Sequence, residues 1–362
     1  MAGLKEFLSG GKQRPVTVVG AGAYGLWQAW HLASLGYRVR LIDNSPDPLS
    51  TSASHYAGTM LSPYCEAEAS APVVLEHGLQ ALALWRKAYP GLVTAGTLVV
   101  ASARDRSDLE HFARMTEGYE ACDAKRINVL EPDLGTRFPA GLYFPEEAHM
   151  VTPDVLAFLL SEARAAGAEV VFGVALADFE AKVAEEGGLL IDCRGVGARR
   201  LLPRLRGVRG ERVIVRTHEV SLKRPVRLLH PRHPIYVVPW SQGEFMVGAT
   251  VIESEDDSPV SVRSMLELLG TAYTLHPAFA EAEIVESGAG VRPAFDDNVP
   301  KVIVCARQRR IHVNGAYRHG FLLAPVLARC VAGLLDGSLS VHPLVDFTEP
   351  DHPPLRQTDE VL

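Results

Sequence analysis

The sequence predicts an α/β protein in which a parallel, nucleotide-binding sheet is interleaved with a smaller α+β region built on an antiparallel sheet. Two observations lead to this prediction. The chain opens with a strand, a helix and a second strand within about thirty residues, which is the unit that a parallel nucleotide-binding sheet requires. Residues 212–251 instead alternate apolar and polar positions between turns, a pattern typical of antiparallel strands.

The composition is that of an ordinary globular protein, with 362 residues, 47% hydrophobic and 22% charged. The net charge of −7 lacks the basic excess of a nucleic-acid-binding protein, so no nucleic-acid partner is expected. The five cysteines form no CxxC pair, and their odd number favours a reducing compartment and no metal site. Without a signal-like segment or an apolar run of about 18 residues, we expect a cytoplasmic protein with no membrane partner.

The first turn carries a glycine motif. Val16–Val19 predicts a buried strand, and it leads directly into the sequence GAGAYG. In a GxGxxG turn the first glycine permits the tight turn, the second lets a pyrophosphate approach the backbone, and the third lets the helix pack against the sheet. An acid at the end of the second strand can bind a ribose and disfavours NADP, but it does not separate NAD from FAD. The residues expected at the dinucleotide are Gly20, Gly22, Ala23, Tyr24, Gly25 and Asp43.

The remaining elements follow from hydrophobic periodicity and helix boundaries. Segment 44–64 is rich in Ser, Pro, Thr and Gly, so we expect a long irregular loop of the kind that often carries function. One helix is expected to begin with Pro153 after Thr152 as its N-cap. The last helix is expected at 324–335. Further helices are expected at 22–34, 72–89, 105–117 and 262–273, and further strands at 39–42, 97–101, 169–172, 189–192 and 311–313.

Two C-terminal segments are the most specific part of the chain: GVRPAFDDNVP at 290–300 and NGAYRHGFLLAP at 314–325. A third segment, SHYAGTMLSP, spans 54–63, and YVVP at 236–239 and VGAT at 247–250 form a hairpin-like pair. Together, in this order, they resemble the D-amino-acid oxidase superfamily of FAD-dependent oxidoreductases. The resemblance is closest to glycine oxidase of the thiamine-biosynthesis type.

The resemblance implies a Rossmann-like FAD-binding domain interleaved with a smaller α+β substrate domain built on an antiparallel sheet. Nucleotide-binding segments lie at the start, middle and end of the chain, with sheet-rich segments between them. We expect the FAD-binding domain over 1–90, 146–211 and 286–345, the substrate domain over 91–145 and 212–285, and a loose tail over 346–362.

Three positions depart from the family pattern. Asn298 stands where the family usually has Gly, and His319 stands where Asn is common. The loop after Asp192 has the sequence CRGVG rather than the more usual A-x-G-x-W/Y-S. These departures leave the exact substrate open.

A substrate carboxylate needs a fixed cation, and Arg serves better than Lys because its guanidinium pairs with both oxygens. The resemblance implies this role for Arg292, which precedes Pro293 and is therefore held extended. Tyr236 lies on an alternating strand and can donate its hydroxyl to the same carboxylate. Arg318 precedes a helix and can hold a closing loop or assist substrate binding. For these two residues the alternatives are a half-buried structural Tyr and a salt-bridged structural Arg.

His55 stands three residues before Gly58, the spacing at which some related amine dehydrogenases attach flavin covalently. We expect a hydrogen-bonding His and non-covalent FAD, with the covalent link as the alternative. The N–H groups of residues 320–322 are expected to stabilise negative charge on the reduced ring. Beyond the first turn, the residues expected at FAD are Ser54, His55, Gly58, Met60, Val174, Gly195, Gly197, Arg292, His319, Gly320, Phe321 and Leu322.

The expected activity is oxidation of glycine or another small amino acid or amine to an imine, which hydrolyses to a 2-oxo acid and ammonia. Oxygen would reoxidise the flavin to give hydrogen peroxide, and the imine would serve formation of the thiamine thiazole. Three alternatives stay open: a D-amino-acid dehydrogenase that reduces a quinone or protein, a nicotinamide-dependent dehydrogenase, and a non-catalytic flavoprotein subunit. Because related enzymes are often oligomers, a homo-oligomer is expected.

Overall fold

The structure is a computed structural model that describes residues 11–306 and 308–347, so positions 348–362 of the expected tail lie outside the described residues. The strands, in chain order, are β1 (Val16–Val19), β2 (Val39–Asp43), β3 (Met60–Leu61), β4 (Thr97–Ala101), β5 (Glu120–Asp123), β6 (Ala140–Phe144), β7 (Ala148–His149), β8 (Glu169–Phe172), β9 (Leu189–Asp192), β10 (Arg206–Arg216), β11 (Val226–Leu229), β12 (Ile235–Pro239), β13 (Glu244–Gly248), β14 (Glu283–Ala294), β15 (Lys301–Cys305), β16 (Arg310–Asn314) and β17 (Val345–Asp346). The α-helices are α1 (Ala23–Ser34), α2 (Pro48–Thr51), α3 (Pro63–Glu66), α4 (Pro72–Ala88), α5 (Arg106–Met115), α6 (Ala124–Leu130), α7 (Thr152–Ala165), α8 (Ala177–Glu185), α9 (Val262–Leu275) and α10 (Gly320–Asp336).

The first sheet has the strand order β17-β15-β16-β9-β1-β2-β8. Its strands β16, β9, β1, β2 and β8 run parallel to one another, whereas β15 runs antiparallel to β16. Val16–Val19 is buried at all four positions because β1 lies between β9 and β2 and is covered by α1. A continuous apolar run is what a parallel strand covered on both faces requires.

The second sheet has the order β14-β10-β13-β12-β11-β4-β6-β5 and is antiparallel except between β11 and β4. Helix α9 packs against β10, β12 and β13. The residues in that core, such as Val213, Val237 and Val247, alternate with residues that point to the opposite face. That opposite face carries Arg212 and Tyr236. The predicted fold class, a parallel nucleotide-binding sheet with an antiparallel substrate sheet, is confirmed.

Three local predictions need correction. Segment 44–64 is not wholly irregular, because α2 and β3 lie within it and α3 begins at Pro63. Thr152 lies in the first turn of α7 rather than at its N-cap, and its hydroxyl donates to the Ala57 carbonyl at 2.7 Å. That bond fixes the loop before β3 instead of the helix end.

The last helix begins four residues earlier than predicted, at Gly320 rather than 324, and contains Pro325. Proline has no N–H, so the carbonyl of Phe321 loses its helical partner. The indole Nε1 of Trp85 donates to this carbonyl at 2.8 Å instead. A tertiary contact from α4 therefore compensates for the proline, which sequence periodicity alone cannot reveal.

The division into two domains stays a proposal. Strands β10 and β14 pair with each other from Arg206↔Ala294 to Arg216↔Glu283. The expected boundaries at 211/212 and 285/286 fall inside these two strands, so we propose that the boundaries lie at the strand ends. Among residues 11–306 and 308–347, no helix is long and apolar enough to cross a membrane.

Candidate active site

A cavity of about 840 Å³ lies between the two sheets. Asp43 and Asn314 line it at the carboxyl ends of β2 and β16, where open α/β sheets bind their ligands. Tyr236 and Arg292 line it from β12 and β14. We call these two regions the parallel-sheet end and the antiparallel-sheet end of the cavity.

Most of the residues indicated by the sequence line this cavity. They are Gly20, Gly22, Ala23, Tyr24, Asp43, Ser54, Gly58, Met60, Val174, Gly195, Gly197, Tyr236, Arg292, Arg318, Gly320 and Phe321. Four of the expected residues, Gly25, His55, His319 and Leu322, are not part of the lining.

The glycines of the β1–α1 turn each have a steric cause. Gly20 has φ +97°, and a Cβ there would lie 2.7 Å from the Cys193 carbonyl. A Cβ at Gly25 would overlap the Gly20 carbonyl, so Gly25 closes the turn on itself instead of facing the cavity. A Cβ at Gly22 would lie 3.0 Å from Ser54 Oγ, in the cavity lining. The turn thus forms a bare backbone cradle of the kind that receives a pyrophosphate, and these residues fit FAD.

Asp43 and Ser54 brace this cradle. The Asp43 carboxylate accepts hydrogen bonds from the N–H of Ala21 at 2.7 Å and of Ser45 at 2.8 Å. Ser54 Oγ accepts from the N–H of Ala23 at 3.0 Å, and its hydroxyl hydrogen can still be donated to a phosphate oxygen. Asp43 can accept from a ribose on its remaining lone pairs. Two of the turn's N–H groups are therefore satisfied by side chains of the protein.

Arg194 lines the same end and was missed by the sequence reasoning, which named Gly195 and Gly197 of this loop. Its guanidinium donates to both oxygens of buried Asp192, at 3.0 and 2.7 Å. Burial raises the pKa of Asp192, but Arg194 and the neighbouring His312 and Arg310 lower it below its usual value. The signal in the sequence was an Asp at the end of a parallel strand with an Arg two residues later.

The face of the antiparallel sheet is opened by glycines. Tyr236, Gly248, Arg212 and Gly288 lie directly opposite one another on β12, β13, β10 and β14, so they share one face. A Cβ at Gly248 would lie 3.0 Å from the Tyr236 ring, and a Cβ at Gly288 would overlap the Tyr56 ring. The missing side chains leave room for the rings of Tyr236 and Tyr56, which line the cavity.

The guanidinium of Arg292 occupies the space beside another glycine of this sheet. A Cβ at Gly210, on the neighbouring strand β10, would overlap its guanidinium. Its Nη1 donates to the Thr250 carbonyl at 3.1 Å. Burial lowers the pKa of Arg292, and Arg318 lowers it further while Tyr236 raises it. Within the part of the chain that the structure describes, no carboxylate lies within 4.0 Å of this guanidinium, so it is a cation without an acidic partner.

Arg318 is paired, in contrast. Its Nη2 donates at 2.9 Å to Glu66, a cavity-lining residue of α3 that the sequence reasoning did not single out. The charge of Glu66 raises the pKa of Arg318, although burial opposes the rise. Arg227, also missed, lines the cavity from β11 and lies 3.9 Å from Glu66. No sequence pattern brings residues 66, 227 and 318 together.

His319 and Leu322 support the site from behind. His319 is fully buried, with Nε2 3.2 Å from Ser70 Oγ and Nδ1 3.6 Å from Glu66. Burial lowers the pKa of His319 to about 4, so it is neutral at neutral pH. Leu322 packs on α4, where a Cβ at Gly78 would lie 3.1 Å from it.

His55 turns away from the cavity. Its Nε2 lies 3.1 Å from the carboxylate of Glu286. Arg212 donates to the same carboxylate at 3.0 Å and to the His55 carbonyl at 3.3 Å. His55 therefore anchors the loop before β3 to the antiparallel sheet. Among residues 11–306 and 308–347, no group of three or more His, Cys, Asp or Glu side chains could hold a metal ion.

Comparisons with known proteins agree with this architecture. The chain is 48% identical over 318 residues to a putative thiamine biosynthesis oxidoreductase ThiO of Rhizobium etli, covering 88% of this chain and 95% of the relative. It is 28% identical to a glycine oxidase of Geobacillus kaustophilus, covering 93% of this chain and 97% of the relative. The fold matches the crystal structure of a Bacillus cereus glycine oxidase at 22% identity and a TM-score of 0.76, covering 92% of this chain and 97% of that one. It also matches the crystal structure of a Chelativorans iminodiacetate oxidase at 22% identity and a TM-score of 0.75, covering 93% of this chain and 100% of that one.

A family model described as FAD dependent oxidoreductase matches residues 15–334. This range contains the glycine turn, every strand of both sheets except β17, and every cavity-lining residue named above. The resemblance drawn from the sequence is confirmed: the chain belongs to the FAD dependent oxidoreductase family.

Proposed function

We propose that this protein uses FAD to oxidise glycine or another small amino acid or amine to an imine. The observation that carries the proposal is Arg292, a guanidinium without an acidic partner that faces the same cavity as the glycine cradle. A cation in that position is suited to a substrate carboxylate. When bound, FAD supplies the electron acceptor for oxidation of the C–N bond.

The chain's own residues bind and orient the substrate. Arg292 pairs with the carboxylate, and Tyr236, held between Gly58 and Gly248, can donate its hydroxyl to the same group. Arg318 is fixed by Glu66 and keeps a second positive charge at this end. Holding one carboxylate at a fixed point places the adjacent carbon and amine at a defined distance from the parallel-sheet end.

We propose that FAD is held without a covalent bond, by the cradle at residues 20–25, by Asp43, Ser54 and the loop at 194–197. The pairing of His55 with Glu286 supports this, because the imidazole is engaged away from the cavity lining. Acid precipitation should release all flavin into the supernatant. Flavin that stays with the denatured wild-type protein but not with His55→Ala would overturn this assignment.

Oxygen is the proposed final electron acceptor, with hydrogen peroxide as co-product, and the imine hydrolyses to a 2-oxo acid and ammonia. The curated relatives also support a role in making the thiazole of thiamine, since the 48% identical relative is named for thiamine biosynthesis and others are bifunctional ThiO/ThiG proteins. Homo-oligomer formation stays a prediction.

The test is the visible spectrum of the purified protein before and after addition of glycine, first without oxygen and then in air. Anaerobic bleaching, recovery in air and one hydrogen peroxide per glyoxylate are the expected results. Bleaching that recovers only with a quinone would indicate a dehydrogenase. A yellow protein that no small amino acid or amine bleaches would contradict the proposal.

A further inference from the structure

The antiparallel-sheet end of the cavity holds an unusual set of charges. Arg227, Arg292 and Arg318 all line it, and Glu66 is the carboxylate that lines it beside them. The exposed lining residue Asp257 belongs to the loop after β13, where water screens its charge. One buried carboxylate therefore stands among three guanidinium groups.

The surroundings of Glu66 favour the ionised form of its carboxylate. Burial raises the pKa of Glu66, but the charges of Arg318 and Arg227 lower it, and the net value lies below that of a free carboxyl. Its Oε1 accepts from Arg318 at 2.9 Å, while its Oε2 is buried without a hydrogen-bond partner. The side chain is 15% exposed, so little water screens the charge.

The three arginines differ in how tightly they are engaged. Arg318 is held by Glu66, and Arg292 is free to bind the substrate carboxylate. Arg227 is held by long contacts: the Cys65 carbonyl at 3.5 Å, Glu66 at 3.9 Å, Glu68 at 3.6 Å and the face of the Phe112 ring, 5.2 Å from the ring centroid. Without the charge of Glu66, Arg227 and Arg318 would form a second cationic pair suited to a second carboxylate.

Building on the proposed function, we propose that Glu66 is a specificity-determining residue that restricts this site to substrates with a single carboxylate. Its negative charge offsets Arg318 and part of Arg227, and leaves one guanidinium, Arg292, for the substrate. A dicarboxylate would place its second anionic group against Glu66, and this repulsion rejects it.

The test measures binding without turnover. Methoxyacetate and diglycolate differ by one carboxylate and contain no amine to oxidise, so their dissociation constants can be measured on the FAD-loaded protein by calorimetry and flavin absorbance. Glu66→Gln keeps the shape and removes the charge, and Glu66→Asp keeps the charge. Glu68→Gln is the matched control, because Glu68 contacts the same Arg227 but is 32% exposed and does not line the cavity.

We expect Glu66→Gln to shift the preference toward diglycolate by about tenfold or more, since a unit charge a few ångströms away acts in a poorly screened site. Glu66→Asp should stay within about threefold of the wild type because it keeps the charge, and Glu68→Gln should do so because exposed charges contribute little. An unchanged ratio in Glu66→Gln, or an equal shift in Glu68→Gln, would overturn the proposal.

Arg227→Met provides a second variant if Glu66→Gln does not fold. It should weaken diglycolate more than methoxyacetate, and equal effects on both would count against the proposal. Glycine and iminodiacetate oxidation are then measured on the same proteins. A shifted binding ratio in a protein that oxidises no amine would contradict the proposed function alone, whereas glycine oxidation with no shift would contradict only the role of Glu66.

Discussion

The two ends of the cavity are built by different means. At the parallel-sheet end, six consecutive residues and Asp43 form a cradle of backbone groups, and glycines matter because they lack side chains. At the antiparallel-sheet end, charged side chains come from α3, β11, β14 and the loop before α10, and the bonded pair Arg318 and Glu66 is 252 residues apart. The backbone cradle is formed mainly by neighbours in sequence, whereas the arrangement of charged side chains depends on packing between distant segments.

The largest expected effect comes from breaking the antiparallel-sheet end at Arg292. Arg292→Ala removes one side of a charge pair with the substrate, which costs on the order of 2–5 kcal/mol. This corresponds to a loss of roughly thirty- to several-thousand-fold in kcat/KM, and Arg292→Lys should remain clearly impaired because it lacks the planar fork. Steady-state kinetics on glycine check this.

The control substrate for Arg292 is an amine without a carboxylate, for which both variants should lose much less kcat/KM than they lose for glycine. Both variants should keep bound FAD, since the cradle lies at the other end of the cavity. If Arg292→Ala impairs both substrates equally, or neither, the residue does not bind the carboxylate.

Glu147 tests how α3, which carries Glu66, is held in place. Its buried carboxylate accepts from the N–H of Cys65 at 2.8 Å, and burial raises the pKa of Glu147 to about 7. The folded pKa exceeds the unfolded one, so this group's stabilisation is present below about pH 4.5 and is lost as the pH rises through 7. The loss amounts to roughly 3 kcal/mol.

The measurement is the unfolding free energy of wild type and Glu147→Gln between pH 5 and pH 8. The advantage of the wild type over the variant should shrink as the pH rises, because Gln cannot ionise. Buried histidines such as His319 change stability in acid in both proteins, so their contribution cancels in the difference. A difference that is constant with pH would show that Glu147 does not titrate in this range.

Gly22 tests the parallel-sheet end alone. Gly22→Val puts a side chain against Ser54 Oγ, in the space left for the pyrophosphate. Overpacking of this kind costs about 1–3 kcal/mol, or roughly five- to 150-fold in FAD affinity. Flavin titration of the apoprotein measures it, with Gly270→Val on the exposed face of α9 as the control, since nothing lies within 4 Å of a Cβ at that glycine. Unchanged FAD affinity in Gly22→Val would show that the cofactor does not bind against this turn.

The last expected effect concerns α10, whose first residues, Gly320 and Phe321, line the cavity. Trp85→Phe leaves the Phe321 carbonyl without a donor and should cost about 1–3 kcal/mol of unfolding free energy. In a Pro325→Ala background the helix supplies its own N–H to that carbonyl, so Trp85→Phe should cost less there. Equal costs in the two backgrounds, measured by denaturant unfolding, would show that the indole bond does not replace the missing helical bond.

Local pattern was sufficient for much of the fold. The strand Val16–Val19, the turn after it and the antiparallel alternation over 212–251 were all predictable, since each depends on neighbours in sequence. The start of α10 was not, because proline argues against a helix unless a distant indole compensates for it. Arg292 could be named because Pro293 and the surrounding motif mark it, whereas Glu66 and Arg227 carry no such mark.

The sequence by itself determined the parallel sheet, the glycine cradle and the family, because short-range sterics and hydrophobic periodicity act on adjacent residues. Only the tertiary structure decided which charges meet in the cavity. Glu66 pairs with Arg318 because α3 and the loop before α10 pack together. His55 faces Glu286 rather than the cavity because Arg212 holds its loop. Electrostatic interactions depend on distance in space, and that distance is set by packing.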